Sequence, residues 1–509
     1  MLCLCAGILF TLTSFGCGSG NYTPPLTTIA PTLNPLVAQY TIRHFHPGLT
    51  AWVEFGLDTS YGRQTSVMSD SNSLTSVGGG VLNILVAGMK AHTTYHMRAH
   101  VDWSGGSFVD QDQTFTTGAL PASLAPPTIT VARPTPNLSP APGVELLSLI
   151  STSGNPNMLQ SVVTDLQGNI IWYYPAVAIP VKPMSNGHFM LNLGGDLREV
   201  DLAGHLIRDV TLAQVNQSLQ TNGHSYVITN FSHDVLTLAN GHWITIGQVK
   251  KDFTDLPGYP GTTEVLGDVV VDVDPTGNVA WAWSSFDYLD INRHLQGLPD
   301  WTHGNALNYT ADGSLLLSLR HQSWILKIDY ANGAGSGNIL WKLGEDGDFT
   351  LLGGDPSQWF YGQHYPSILN TSGSQTTMAV YDDGNLRIDS EGVACGSTPS
   401  APACYSRATI YQIDESTNIA SLLWQDLPGF YSFWGGSIGA LSNGDVEFDS
   451  SEPFNSFDSI GLFNAMTSQI NEVTQTDSPQ TVWQMNISGE NAYRGYRIPS
   501  LYPGVTWQQ

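Results

Sequence analysis

The sequence predicts an all-β protein, a six-bladed β-propeller preceded by a small β-sandwich, and three observations carry that prediction. Tight turns recur at Asn186-Gly187, Asn240-Gly241, Asp312-Gly313 and Asn443-Gly444, with Ser372-Gly373 filling the gap. Each lies between two apolar runs of β-type residues, which is a hairpin signal. A second unit, D-x-x-G-N-I-x-W, appears as DLQGNIIWYY, DPTGNVAWAW and NGAGSGNILWKL, and in degraded form as DESTNIASLLWQ and TDSPQTVWQM. The turn glycines Gly187, Gly241, Gly313, Gly373 and Gly444 are spaced as four-stranded units would space them, and such units read as propeller blades. Five turn-marked units, plus one opened by SVVTDLQGNIIWYYP, make six blades over residues 145–509. The terminal NAYRGYRIPSLYPG is expected to close the ring onto the first blade.

The elements before the ring read in order. MLCLCAGILFTLTSFGCGSG, residues 1–20, is a short apolar run followed by small residues, as in a secretory signal, although it lacks a basic n-region. Its SFGC loosely resembles a bacterial lipobox, which makes Cys17 the candidate lipidated residue. The expected location is therefore the periplasm or cell envelope, with a lipid anchor to the membrane. The run is too short to span a bilayer comfortably. Residues 22–120 show period-2 alternation in AWVEFGLDTSYG, VLNILVAGMKAHTTYHMRAHV and QTFTTG, broken by turn signals. The stretch through Tyr95 and Arg98 resembles a fibronectin type III module, in which the tyrosine pins a loop near a strand start. Residues 121–144 are Pro-rich and read as a stiff, extended linker.

Composition narrows the function classes. The 509 residues carry 18 basic against 43 acidic side chains, a formal charge of −25, which excludes the basic face that nucleic acid needs. Cys3 and Cys5 leave with the signal. Cys395 and Cys404 remain in CGSTPSAPAC and are expected to form a local disulfide in an oxidising compartment. Metal ligation by that pair is disfavoured, because neither a histidine nor a second cysteine pair stands nearby.

Three histidines open similar segments: His233 in SHDVLTLANGHWITIGQ, His303 in THGNALNYTADGSLLLSLRHQ and His364 in GQHYPSILN. In a propeller the innermost strands line a central channel, so these positions converge from distant places in the chain. Their convergence permits a metal site, a structural hydrogen bond across the channel, or catalysis on an anion. Against metal, the sequence contains no HxH or HxxE pair at these positions, and no carboxylates are evident beside them. For an anion, the hairpin about Asp312-Gly313 returns Arg320 towards His303, and a planar cationic fork suits sulfate or phosphate oxygens. Asn305, two residues after His303, shares its strand facing and is a further candidate donor. His321 follows Arg320 and should point to the opposite face. Trp359, Tyr361, Tyr365, Phe433 and Trp434 are candidate walls for an aromatic ring.

The segments SHDVLTLANGHWITIG, DWTHGNALNYTADGSLLLSLRHQ, QHYPSIL and YRGYRIPSLYPG resemble the bacterial arylsulfotransferases, which are PAPS-independent aryl-sulfate sulfotransferases of the cell envelope. The resemblance runs from about residue 145 onwards and is most specific in the D-W-T-H-x-N to S-x-R-H-Q block. It implies an N-terminal β-sandwich, a six-bladed propeller and an enzyme of the EC 2.8.2 type. It further implies that His364 is the nucleophile that becomes sulfated on nitrogen, and that His303 is the acid/base for the phenol oxygen. His233 and Arg320 match sulfate-holding positions, and Asn305 matches a supporting donor. A ping-pong exchange between an aryl sulfate donor and a phenolic acceptor follows, with no cofactor and no metal, in a family whose members can form homodimers. One departure stands out. The family's short-range cysteine pair precedes the nucleophilic histidine, whereas Cys395 and Cys404 follow His364, which bears on acceptor preference. The rival readings are a non-catalytic envelope propeller serving as a binding or adhesion module, and a metal- or quinone-dependent propeller oxidoreductase.

Overall fold

A computed structural model describes residues 24–46, 48–70, 79–151, 155–388, 392–395, 404–457, 463–465 and 467–508. Cys17 and the expected signal lie outside the described residues. The protein is mostly β. Six sheets, each built on four antiparallel strands, follow one another along the chain, and in sheet five Thr350–Leu351 adds a short parallel strand at the outer edge. Their inner strands are Glu490–Ile498, Val181–Pro183, Ile228–Thr237, Gly304–Tyr309, His364–Ser372 and Ser437–Ala440. Neighbouring sheets pack face to face in a closed cycle, so that sheet six meets sheet one. Central strands consequently have both faces covered and read as apolar runs rather than alternations. Leu315–Leu319 (LLLSL) and Trp324–Ile328 (WILKI) are buried at every position.

The cycle closes as expected from the terminal segment. Glu490–Ile498 pairs antiparallel with Val144–Ser151, so the first sheet draws strands from both ends of the cycle. Without that pairing two sheet edges would stay open. The Asx-Gly turns join the first strand of a sheet to the second. Gly187, Gly241, Gly313 and Gly444 have φ of +81 to +88°, where a side chain is strained.

The recurrent tryptophans occupy the outermost of the four strands and stitch sheet to sheet. Trp172, Trp283, Trp424 and Trp483 each donate their indole N–H to a carbonyl in the next sheet's outer turn: Leu202 (2.8 Å), Gly337 (3.0 Å), Thr476 (2.9 Å) and Leu166 (2.9 Å). Two joints use other chemistry. Arg208 bonds the Gly241 and Asp274 carbonyls between sheets two and three, and Lys327 pairs with Glu415 between sheets four and five. Each indole bond contributes about 1 kcal/mol, whereas truncating a buried tryptophan costs about 3–5 kcal/mol. Packing therefore dominates these joints, and the N–H sets the register.

Ahead of the cycle lie two further sheets, one of Leu26–Pro31, Ala38–His44 and Gly80–Val86, and one centred on Thr50–Gly56 and Thr94–Trp103. The Tyr95 hydroxyl accepts the Lys90 N–H at 3.0 Å, pinning the loop five residues back. These sheets share one apolar cluster with the cycle. Phe55 and Val86 belong to it together with Trp172, Phe189, Tyr502 and Trp507. Within the segment read as a linker, Thr128–Ala132 instead adds a fifth strand to sheet six, on Thr481–Ser488. Its TITVA alternation suits a strand, and the outer edge of that sheet offers the unpaired backbone groups. Cys395 and Cys404 are joined as a disulfide. No helix among the described residues is long and apolar enough to cross a membrane.

Candidate active site

Three inner strands carry the same irregularity where the histidines stand. Register shifts fall between Ser232 and Val235, Gly304 and Ala306, and His364 and Ser367. His233, His303 and Tyr365 have φ of 49, 50 and 43°, a left-handed backbone that is rare for such bulky residues. Bulges turn side chains away from simple alternation, and here they gather groups from several sheets. The His233 and His303 rings lie 4.8 Å apart, His233 lies 5.3 Å from Tyr493, and Tyr493 lies 6.0 Å from His364. Thus His233, His303 and His364 form one group. His233 sits within its strand, His303 immediately precedes its strand, and His364 begins its own.

His364 is buried between two hydrogen bonds. Its Nδ1 lies 2.5 Å from Asp383 Oδ2, and its Nε2 accepts the Gly435 N–H at 3.2 Å. A neutral imidazole has one N–H and one lone pair, so these partners assign the proton to Nδ1 and the lone pair to Nε2. Burial holds the His364 pKa well below the ordinary histidine value, with Arg320, His303, His233 and Arg494 adding to the effect. Burial also raises the proton affinity of Asp383, which strengthens it as the acceptor.

His303 makes a second carboxylate–imidazole pair. Its Nδ1 lies 2.5 Å from Asp300 Oδ2, and both side chains retain some solvent contact. Burial opposes ionisation of Asp300, yet His303 bonded to it, with His321 and His233 nearby, holds its carboxyl below the usual range. Asp268 fixes the bulge beneath His303 by accepting the Thr302 hydroxyl and the Gly304 N–H, both at 2.6 Å, while burial pushes its own pKa up to about 6.

Arg320 stands where the hairpin reading puts it, its N–H bonded to the His303 carbonyl at 3.1 Å. Its guanidinium meets only neutral acceptors: His321 Nε2 (2.8 Å), Phe433 O (2.6 Å) and Asn385 Oδ1 (3.2 Å). No carboxylate among the described residues forms an ion pair with it, and its buried Nε has no hydrogen-bond partner. Arg494 lies nearby, fully buried, sharing Asp234 with Lys182. Two cations share that carboxylate and Arg320 adds a third positive charge, while the carboxylates of Asp300 and Asp383 are each bonded to an imidazole.

Several expectations need correction. His321 does not point away: Arg320–Gln322 is a 3-10 turn, alternation ends at Leu319, and His321 stacks on His303 at 4.6 Å. Burial, His303 and Arg320 lower its pKa to about 4. Asn305 falls in the bulge, so its amide does not share the facing of His303. It donates instead to the Gln363 carbonyl at 2.7 Å, beside His364. Carboxylates do adjoin the histidines. Asp300 reaches His303 round a turn three residues long, and Asp383 arrives from just past the strand paired with His364. Trp359 and Tyr361 are core residues packed with Phe360 and Tyr411. Tyr365 lies 4.5 Å beneath the Arg494 guanidinium, Trp434 donates to Glu452, and Phe433 takes part through its carbonyl. Asp383, Asp300, Arg494 and Gly435 are site groups that strand alternation could not locate.

Among the described residues, Asp300, His303 and His321 bring one potential ligand atom each within 4.8 Å of one another. Nε2 of His321 is taken by the Arg320 guanidinium and its Nδ1 by the Asp300 carbonyl. The cation beside it repels a second one. The same charge suits an anion, with the Nε2 lone pair of His364 close by.

No curated protein matches the chain in sequence. Among solved structures, a Bacteroides caccae protein of unknown function is similar at 11% identity and TM-score 0.41, over 70% of this chain and 98% of that one. A streptogramin B lyase is similar at 12% identity and TM-score 0.30, over 71% and 98%. A Synechocystis apocarotenoid oxygenase variant is similar at 8% identity and TM-score 0.28, over 90% and 82%. None of the three bears on the chemistry. The sequence profile of the arylsulfotransferases (ASST), however, matches residues 139–497, well over half of the chain. The chain belongs to the arylsulfotransferase family.

Proposed function

We propose that the protein transfers a sulfuryl group from an aryl sulfate to a phenol, without PAPS, through a sulfohistidine on His364. The six sheets are read as the blades of a propeller, the sheets before them as a fibronectin type III-like domain, and the site as the mouth of the channel. The observation that carries the reading is a neutral, buried imidazole close to a guanidinium held by neutral acceptors. The lone pair on His364 Nε2 meets only the neutral Gly435 N–H, and Arg320, its Nε without a hydrogen-bond partner, forms no ion pair with a carboxylate among the described residues.

In the first half-reaction the His364 Nε2 lone pair forms a bond to sulfur as the bond from sulfur to the aryl oxygen breaks. Arg320 and Arg494 oppose the charge on the sulfuryl oxygens. The Gly435 N–H, now on Nε2, turns to one of those oxygens as the N–S bond forms. His303 delivers a proton to the departing phenolate oxygen. In the second half-reaction a phenol returns that proton to His303 and its oxygen attacks sulfur, the S–N bond breaks, and neutral His364 is restored. Asp383 holds Nδ1–H throughout and stabilises the positive charge that develops on the ring. Each well-placed donor in such a site contributes about 3–4 kcal/mol. Splitting the exchange in two lets similar donors and acceptors use one site in turn.

Location follows the same proposal. The N-terminal apolar run directs export to the periplasm or envelope, Cys17 anchors the protein, and the disulfide forms there. The test is phenol-dependent release of 4-nitrophenol from 4-nitrophenyl sulfate. Wild type is expected to turn over and His364→Asn to fall to background. A wild type without transfer supports the binding-module reading, and an active His364→Asn removes the nucleophile assignment.

A further inference from the structure

Two short segments each touch both His364 and Arg320. The first follows the strand Gln375–Asp382. In it Asp383 holds His364 Nδ1 at 2.5 Å, and two residues on Asn385 Oδ1 accepts an Arg320 Nη2–H at 3.2 Å. In the second, the Phe433 carbonyl accepts the other Nη2–H of Arg320 at 2.6 Å, and two residues on the Gly435 N–H reaches His364 Nε2 at 3.2 Å. The segments are themselves tied, because Asn385 Nδ2 donates to the Tyr431 hydroxyl at 2.8 Å. These five bonds close a frame in which imidazole and guanidinium cannot shift apart without breaking one of them. Gly362, two residues before His364 with a φ of +64°, leaves room for it, since a side chain there would collide with the Asn385 amide.

The donor inventory fixes how Asn385 sits. A guanidinium only donates, so Oδ1 must face Arg320 and Nδ2 is left for Tyr431. Asn385 is buried at 7% exposure, and a carboxylate has the same shape. An aspartate would grip the arginine more strongly, as an ion pair, but would cancel the charge that sulfuryl oxygens need. We propose that Asn385 is a positioning residue. It fixes Arg320 relative to His364 without neutralising it, and Tyr431 supports it from the other segment. The inference rests on the sulfuryl-transfer reading and adds to it a residue that touches neither the sulfur nor the phenol.

Three variants separate charge from position: Asn385→Asp keeps the frame and cancels the charge, Asn385→Leu keeps the charge and opens the frame, and Tyr431→Phe removes only the tie. Each is measured for melting temperature, affinity for inorganic sulfate, and kcat and KM with 4-nitrophenyl sulfate. Asn385→Asp is expected to melt at or above wild type, yet to bind sulfate at least about tenfold more weakly and lose about 100-fold in kcat/KM. Asn385→Leu is expected to melt lower, keep sulfate affinity within about threefold, and lose about tenfold in kcat/KM. The more stable variant is thus the less active, an order that a merely structural asparagine would reverse. Tyr431→Phe is expected to lose about threefold or more in kcat with sulfate affinity unchanged, and it serves as the test should Asn385→Asp not fold. A folded Asn385→Asp with wild-type sulfate affinity and turnover, or a Tyr431→Phe with wild-type kcat in that event, overturns the inference and leaves the transferase reading standing. A wild type that binds sulfate but transfers nothing overturns the transferase reading, and the sulfate affinities alone then decide the role of Asn385. A wild type that does neither overturns both.

Discussion

Two carboxylate–imidazole pairs of equal length sit in one site and differ in surroundings. His364–Asp383 is sealed, with side-chain exposures of 2% and 0%, and is built from the inner strand of sheet five and the end of its neighbour. His303–Asp300 lies on the turn before sheet four, with exposures of 19% and 33%. The same 2.5 Å bond therefore does different things. In the buried pair, desolvation and nearby cations keep His364 neutral, which preserves a nucleophilic lone pair. In the open pair, contact with water suits the acid/base role proposed for His303. On that proposal burial, more than bond length, divides the labour between the two.

The comparison breaks most easily at the buried end. Asp383→Asn is expected to lower kcat by about 10³–10⁴-fold, because an amide in that place can turn its N–H₂ to Nδ1 and move the lone pair there. The loss should be alike for phenyl sulfate and 4-nitrophenyl sulfate, since it concerns the nucleophile. A loss that varies with the leaving group would reassign Asp383.

His303→Gln is the next largest. A loss of about 10²–10³-fold is expected with phenyl sulfate, whose phenolate needs a proton, and a much smaller one with 4-nitrophenyl sulfate. Asp300→Asn should follow the same pattern at roughly a tenth of the size. A plot of rate against leaving-group pKa, steeper in both variants than in wild type, is the readout. Parallel plots would mean that His303 holds the sulfate rather than moving protons.

The smallest effect is one of pH. In the proposed mechanism His364 reacts when neutral, and its value in the folded protein is depressed by burial and by Arg320. As pH falls, the neutral form therefore persists below the ordinary histidine value of 6.5. The acid limb of kcat/KM, which reports the free enzyme, should lie below that value. A limb at or above it would contradict the assigned environment.

Periodic features of the molecule are legible in the chain. The turn glycines, the tryptophan units and the three histidine-headed segments repeat, so the six sheets and the meeting of His233, His303 and His364 can be read from spacing. Arg320 is legible because one hairpin with a marked turn returns it to His303. What breaks periodicity is not legible. The bulge at Asn305 and the 3-10 turn at Arg320–Gln322 each reverse the facing that alternation assigns, which is why the Asn305 amide and His321 are misplaced. Asp383 reaches His364 through strand pairing, and Arg494 is 189 residues from the Asn305 carbonyl it binds. Only closure of the cycle brings that pair together.

The central claim is that His364 carries the sulfuryl group. Intact-protein and peptide mass spectrometry of enzyme quenched at alkaline pH after mixing with 4-nitrophenyl sulfate alone tests it directly. The account predicts one sulfuryl adduct, on the peptide containing His364, which disappears when phenol is added and is absent from His364→Asn. An adduct on another residue, or phenol-dependent turnover with no adduct on any peptide, would contradict it.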